Sequence, residues 1–412
     1  MSVKAAFLVA LALLAASTAP AFAQFLDQAP GQRFHIDPAN LPKPYATDSA
    51  FNEATIVAKP ANPLFHLPPG FSVNEFAGGL PAPRWLAVAP NGDVFVTLPL
   101  DDKVMLLRDA DGDGKAELQS VFTEGFSRPH GLAIHDGYLY VGDVNRVWRI
   151  AWQPGDTKAH TAPEPVTDSG VFGEPSGHWT RNLVFTPDGK RFIVTVGSAD
   201  NIGAEDPPVR ATLQSFAASG HDQQTLASGL RNPVGLAYRP GSEDLYVVVN
   251  ERDGLGDGLV PDFLTRIVPG GFYGWPYSYI GQNVQPDVPP HPALVAKAIV
   301  PDLLFQSHSA PLGLAFYDGT MFPPEYRGNA FVALHGSWNA GRPTGYKVVR
   351  VPFENGKPVG YYENFLTGFW TAGHEPAQVW GRPVALAVAK DGSLLLSDDA
   401  SGTVWRISYK KP

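Results

Sequence analysis

One pattern recurs six times along the 412-residue chain and limits the folds open to it: a short apolar segment, a turn, and a second apolar segment rich in Val, Tyr and Phe. The copies begin at Leu86, Leu132, Leu183, Leu236, Leu314 and Leu386, spaced 46, 51, 53, 78 and 72 residues apart. Four short strands with their turns need roughly 40–50 residues, which is the period of a propeller blade. No helical periodicity of useful length interrupts the series. The expected fold is therefore all-β: a six-bladed β-propeller in one domain, with long inter-strand insertions near 255–300 and 317–330 or 352–380. A pair of β-sandwiches is the alternative, but it would not need the same hairpin six times. Forty-two glycines, forty prolines and a charged fraction of 17% suit many short strands and turns.

The segment before the repeats reads as an export signal. Lys4 supplies a basic start, Ala5 to Ala16 form an apolar run too short to span a bilayer, and Ala21-Phe22-Ala23 gives the small-x-small cleavage pattern. The expected organisation is a signal peptide over 1–23, an N-terminal extension over 24–65 and the propeller over 66–412, with an exported, periplasmic product. No later segment reaches eighteen apolar residues, so no membrane span is expected. The chain has no cysteine, which rules out disulfides, thiolate chemistry and a covalently attached c-type haem. A formal net charge of −9 argues against a nucleic-acid partner.

In a propeller, the residues entering each innermost strand ring one mouth of the central channel. Here those entries are Pro83-Arg84-Trp85, Ser127-Arg128-Pro129-His130, Gly177-His178-Trp179-Thr180-Arg181-Asn182, Leu230-Arg231-Asn232-Pro233, Gln306-Ser307-His308-Ser309 and Trp380-Gly381-Arg382-Pro383. Five carry an arginine and three a histidine. Guanidinium groups facing one cavity repel each other unless an anion sits among them, so the expected ligand carries several carboxylates or phosphates. The alternative is that the arginines turn outward as solvated rim charges. For His178 taken alone, the alternative is a histidine that only caps its loop.

These segments resemble the soluble quinoprotein glucose/sorbosone dehydrogenase family, and the resemblance runs over roughly 70–407. It is carried by Gly177-His178-Trp179-Thr180-Arg181-Asn182, Leu230-Arg231-Asn232-Pro233, Gly270-Gly271-Phe272-Tyr273-Gly274-Trp275-Pro276, and His335-Gly336-Ser337-Trp338-Asn339 with Gly345-Tyr346-Lys347. In detail the chain looks more like the sorbosone or pyranose dehydrogenase branch than the glucose branch. The resemblance implies pyrroloquinoline quinone (PQQ), Ca2+, a sugar or aldehyde substrate and a separate electron acceptor such as a cytochrome or quinone. It implies that His178 is the catalytic base and that Arg231 stabilises the oxyanion developing at the quinone. Asn232 would orient the ring, while Lys347 and Arg382 would hold carboxylates. Arg84, His335, Arg181, Asn182 and Trp338 complete the expected cofactor contacts. Where the glucose branch has a second arginine near Arg382, this chain has Trp380.

Two segments are candidate metal sites. Asn250-Glu251-Arg252-Asp253-Gly254 matches the family's calcium loop, which ligates chiefly through backbone carbonyls, so Arg252 and Asp253 mark it; the alternative is an acidic surface turn. Independently of the family, Asp109, Asp111 and Asp113 alternate before Gly114 and Glu117, resembling part of a calcium loop. Ser120 stands where a full EF-hand loop has its bidentate glutamate, and the alternative is a charged hairpin tip that discourages edge pairing. The insertions offer Trp275, Tyr277, Trp338 and Trp370 for stacking on a pyranose, or as core aromatics. Two other function classes stay open: a non-catalytic binding propeller, and a calcium-dependent lactonase. A lactonase calls for side-chain carboxylates at a mouth that here is rich in arginine and histidine.

Overall fold

The computed structural model describes residues 27–203 and 208–411; the expected signal peptide lies outside the described residues. Six antiparallel sheets of four or more strands follow one another along the chain. Their innermost strands are Leu86–Val88, Gly131–His135, Leu183–Phe185, Asn232–Tyr238, Pro311–Phe316 and Pro383–Val388. Each of these packs against the next, and Pro383–Val388 packs back on Leu86–Val88, so the ring is closed. This is the six-bladed propeller that the repeats imply. Closure uses an N-terminal strand: Phe71–Ala77 pairs antiparallel with Thr403–Tyr409 as the outer edge of the sixth blade.

Local chemistry sets the repeat. In the second blade the turn is Asp136-Gly137, both with positive φ (45° and 77°), the two-residue turn whose twist matches a hairpin. The second strand of each blade is sandwiched between neighbouring sheets. Val94–Leu98, Ala330–Leu334 and Leu394–Asp398 are buried at every position, which explains why they are mostly apolar; the polar members Thr97, Ser397 and Asp398 hydrogen-bond to neighbouring loops. At the centre the blades nearly touch: a Cβ on Gly313 would lie 2.4 Å from the Val384 carbonyl oxygen.

Strand direction sorts the loops onto two faces. The entries to the first strands share one face with the loops between second and third strands, which include those starting at Gly197, Glu251, His335 and Asp399. The hairpin 109–117, between third and fourth strands of the first blade, lies on the opposite face. The fourth blade's insertion climbs between blades, where Gly271–Phe272 pairs parallel with Ala227–Ser228 and brings Trp275 up to the entry face.

The extension does not form a separate layer. Arg33–Phe34 adds to the outer edge of the fifth blade, and Thr55–Ile56 pairs with Gln378–Val379. The chain between them crosses the entry face as a strap. In the fifth blade Phe331 is fully buried among the rings of Tyr317, Phe322, Tyr326 and Phe365. Phe331→Ala should cost about 3–5 kcal/mol through lost transfer energy and the cavity left behind, read as a lowered urea midpoint at an unchanged slope.

Candidate functional site

The His178 loop is fixed by backbone carbonyls. Gly177, at φ 59°, lies so close to Ala199 that a Cβ would meet its carbonyl oxygen at 1.9 Å. The His178 amide donates to the Ser198 carbonyl at 3.1 Å. Its Nδ1 lies 2.9 Å from that same carbonyl oxygen and 3.0 Å from Ser198 Oγ, which itself donates to the Asp200 carbonyl. Only an Nδ1–H satisfies these acceptors, so the neutral ring carries its lone pair on Nε2. Burial, followed by the nearby Arg231 charge, holds His178 neutral and pushes its pKa down to about 3.

Arg210 holds this loop from beneath. Its guanidinium donates to the carbonyls of Gly197, Glu174, Ser176, His178 and Ser198 at 2.6–3.1 Å, and the side chain is buried. The Ser198 carbonyl therefore receives both Arg210 and His178 Nδ1. Sequence reasoning missed Arg210 because its partners are backbone oxygens, which leave no residue signature. Arg181 belongs to the same scaffold and not to the mouth. It is fully buried, with Nη1 on the carbonyls of His178 and Thr180, which corrects its expected contact with a ligand.

Beside His178, Arg231 donates from Nη1 to the Glu251 carbonyl at 2.7 Å and from Nη2 to Asn201 Oδ1 at 2.8 Å. Asp253 Oδ2 lies 3.6 Å from Arg231 Nη2, and Oδ1 accepts from Asn339 Nδ2 at 2.5 Å. Burial opposes the Asp253 charge, but His308, Arg231 and Asn339 outweigh it and keep the carboxyl below its usual range. Asp262 lies deeper, accepting from the amides of Glu251 and Ala310, and burial pushes it up to about 7. His178, Arg231, Asn232, Asp253, His308 and Trp338 border one cavity of about 270 Å³. Asn232 is 8% exposed and its Oδ1 has no hydrogen-bond partner. Asn201, unpredicted, joins the loops: its carbonyl accepts from Arg231 Nε and Trp275 Nε1.

A second cluster forms on the entry face around Arg84, with side chains from the fifth, sixth, first, second and third blades. Arg84 pairs with Asp399 at 2.6 Å, and Asp399 also meets His335 Nε2 at 3.0 Å. Arg382 donates to the carbonyls of His335 and Gly336. Arg128 lies over the Trp179 ring at 4.0 Å and Arg84 over the same ring at 5.4 Å. Burial and the arginine charges hold His130 and His335 neutral, His335 down to about 4. Arg84 and Arg382 thus share the one carboxylate of Asp399, the exposed Arg128 adds a third positive charge over Trp179, and Arg84 Nε is buried without a partner. The excess positive charge suits an anion. The expected ring of five is therefore redistributed: Arg84, Arg128 and Arg382 gather on one side, Arg231 stands by His178, and Arg181 turns inward.

Other expectations are corrected. Asn182 is fully buried, holding His130 Nδ1 with Oδ1 and the Val234 carbonyl with Nδ2, so it spaces two blades instead of meeting a ligand. Lys347 points to the outer wall, where its ammonium donates to the Asp27 carbonyl at 3.1 Å beneath the Phe34 ring. Burial lowers Lys347 to about 8. Arg252 is fully buried and bonded to Glu251, Gln285 and the carbonyls of Pro276 and Ser278. The Asn250 and Glu251 carbonyls already accept from Arg231, and that of Asp253 from Asn201. In this conformation these oxygens are engaged by protein donors, and each keeps a second lone pair. Trp275 and Trp370 are buried, with their N–H groups on carbonyls, and Tyr277 packs on His291; only Trp338 is open to a ligand. Asp109, Asp111, Asp113 and Glu117 do converge, each offering an oxygen within 4.8 Å of the others, on the face opposite His178.

Comparison with known proteins places this geometry. The TrAA12-like family model matches residues 65–260 and 295–410. The chain belongs to the TrAA12-like family. A second model, Glucose / Sorbosone dehydrogenase, matches 210–337. The chain is 26% identical to a pyrroloquinoline quinone-dependent pyranose dehydrogenase of Coprinopsis cinerea, over 82% of this chain and 54% of that protein. It thus spans about half the length of that relative. Two solved structures share the fold. One is the holo form of the PQQ domain of the Coprinopsis cinerea pyranose dehydrogenase, with a TM-score of 0.69 and 22% identity over 86% of this chain and 100% of that one. The other is a calcium structure of a Trichoderma reesei family AA12 carbohydrate-active enzyme, with a TM-score of 0.72 and 21% identity over 87% and 99%. These matches do not single out the sorbosone branch.

The buried histidines give a pH prediction for this family member. His178 and His335 are neutral when folded, with pKa values near 3 and 4, but have ordinary values of 6.5 when unfolded. The unfolded chain takes up these protons first, so stability should fall as pH drops from about 6.5 towards 4. His335→Asn should flatten that slope in urea titrations. For Arg210→Met, an NMR titration should show the His178 midpoint raised, because one of the charges that lower it is gone.

Proposed function

We propose that the chain is an exported, periplasmic sugar dehydrogenase that uses PQQ and passes electrons to a separate cytochrome or quinone. The supporting observation is the neutral His178, with Nδ1–H fixed on Ser198 and the Nε2 lone pair free for a proton, beside Arg231 on one cavity. The basic cluster fits a polycarboxylate quinone. Arg84, Arg128 and Arg382 would hold its carboxylates, and Asn232, with its unpartnered Oδ1, would face it. When bound, the quinone supplies a two-electron acceptor for hydride.

His178 Nε2 takes the proton from the sugar hydroxyl whose carbon is oxidised. Its low pKa keeps it unprotonated, and so competent as a base, at any pH above about 4. Arg231 places a fixed positive charge at the same cavity, where it stabilises negative charge developing on an oxygen without reorganising. Arg210 and Ser198 keep the imidazole from turning. The carbonyl ring around Arg231 holds that guanidinium in plane. His335 and Asp399 hold Arg84 and Arg382 together. The exported location rests on residues 1–23.

The test is reconstitution of the purified protein with PQQ, with and without calcium, following dye reduction over a panel of aldoses and aldehydes. Quinone-dependent reduction is expected, and His178→Ala should lose about 10²–10⁴-fold in kcat. Quinone binding, read by its absorbance, should survive His178→Ala and weaken in the Arg84→Ala, Arg382→Ala double variant. No quinone binding by the intact protein would sink the proposal and leave a propeller used as a binding platform.

A further inference from the structure

Phe51 leaves 76% of its surface in water, on a stretch of strap that is otherwise firmly held. Before it, Tyr45 donates its amide to the Leu255 carbonyl at 2.8 Å, and Thr47 Oγ1 accepts from the Asp257 amide at 2.9 Å. After it, the Asn52 amide donates to the Trp338 carbonyl at 2.8 Å. Asn52 Nδ2 reaches the carbonyls of Ala340, Gly341 and His374 at 2.8–3.2 Å. Glu53, next along, acts electrostatically on Arg382. The strap therefore crosses the entry face from the 255–257 loop towards the arginine cluster, and its backbone cannot swing to bury the ring. An exposed phenyl forgoes the energy that burial would return.

The aromatic neighbour of Phe51 is Trp338, with ring centroids 5.8 Å apart and planes at 67°. Trp338 is itself 45% exposed and borders the cavity that holds His178 and Arg231. The two rings make an open corner at the rim of the reacting site. A pyranose has an apolar C–H face and a polar edge, and aromatic faces suit the first. The cavity of about 270 Å³ takes the reacting ring, and Trp338 on its border puts the corner within reach of a group attached to that ring.

We propose that Phe51 and Trp338 form a second sugar subsite, holding the ring next to the one that reacts, so that the substrate class is an aldose carrying a further sugar. Phe51 is then a specificity residue supplied by the N-terminal extension. This inference rests on the reading of His178 as the base for sugar oxidation.

The experiment compares wild type, Phe51→Ala and Phe51→Trp, all loaded with PQQ, on glucose and on the disaccharides cellobiose, maltose and lactose. Binding is read by calorimetry and turnover by dye reduction. Phe51→Ala should weaken at least one disaccharide roughly 2- to 12-fold more than glucose, the range an aromatic contact supports, and Phe51→Trp should restore it. Equal changes for all four sugars, or none, would overturn the subsite. A rate loss seen only with a protein electron carrier, with dye rates unaltered, would also overturn it and mark the corner as a carrier-docking surface. If wild type binds the sugars but oxidises none, the dehydrogenase reading falls while the calorimetric difference still decides the subsite.

Discussion

Closure of the ring is the constraint on which everything else depends. The strand Phe71–Ala77 joins the last blade to the start of the chain, and the innermost strands then meet without a free edge at the centre. Consecutive blades make His178 and Arg231 neighbours, but Arg84 and Asp399, 315 residues apart in sequence, meet only because the ring is closed. Close approach at the axis requires glycine, as at Gly313. The same narrowness brings several charged side chains together in a region poor in water.

That crowding explains the chemistry of the mouth. Cationic groups at close range raise each other's energy, and burial adds to the cost of charge. The chain responds in three ways. Arg231 and Arg382 are solvated by backbone carbonyls, Asp253 and Asp399 act as counter-charges, and His130, His178 and His335 stay neutral. A neutral, oriented imidazole next to a fixed guanidinium is the pairing that proton abstraction needs. A positive excess remains near Arg84, Arg128 and Arg382, which the proposed function uses for the carboxylates of the quinone.

The Ser198 carbonyl shows how a scaffold produces function. It accepts from the His178 amide, from His178 Nδ1 and from Arg210. One oxygen thereby sets the position of the histidine, its tautomer and, through the Arg210 charge, part of its pKa. The strap works in a similar way on the other side of the mouth, where Asn52 fixes the Trp338 backbone and carries Phe51 to the rim.

The sequence by itself determined the six blades, because an apolar segment, a turn and a second apolar segment form a local hairpin that recurs six times whatever the surroundings. It also marked His178, Arg231, Arg84 and Arg382 as residues of one mouth, since the entry position follows from the repeat. What only the tertiary structure decided is where each side chain points. Arg181 and Asn182 turn inward, Arg181 because its own loop offers the carbonyls of His178 and Thr180, and Asn182 because the adjoining blades offer His130 and the Val234 carbonyl. Lys347, in a motif that resembles a cofactor contact, meets Asp27 on the outer wall because a third strand alternates its faces. Arg210, Asn201 and the role of the strap were not legible at all. Their partners are backbone oxygens and distant loops, and a backbone carbonyl has the same identity in every residue until the fold brings it into place.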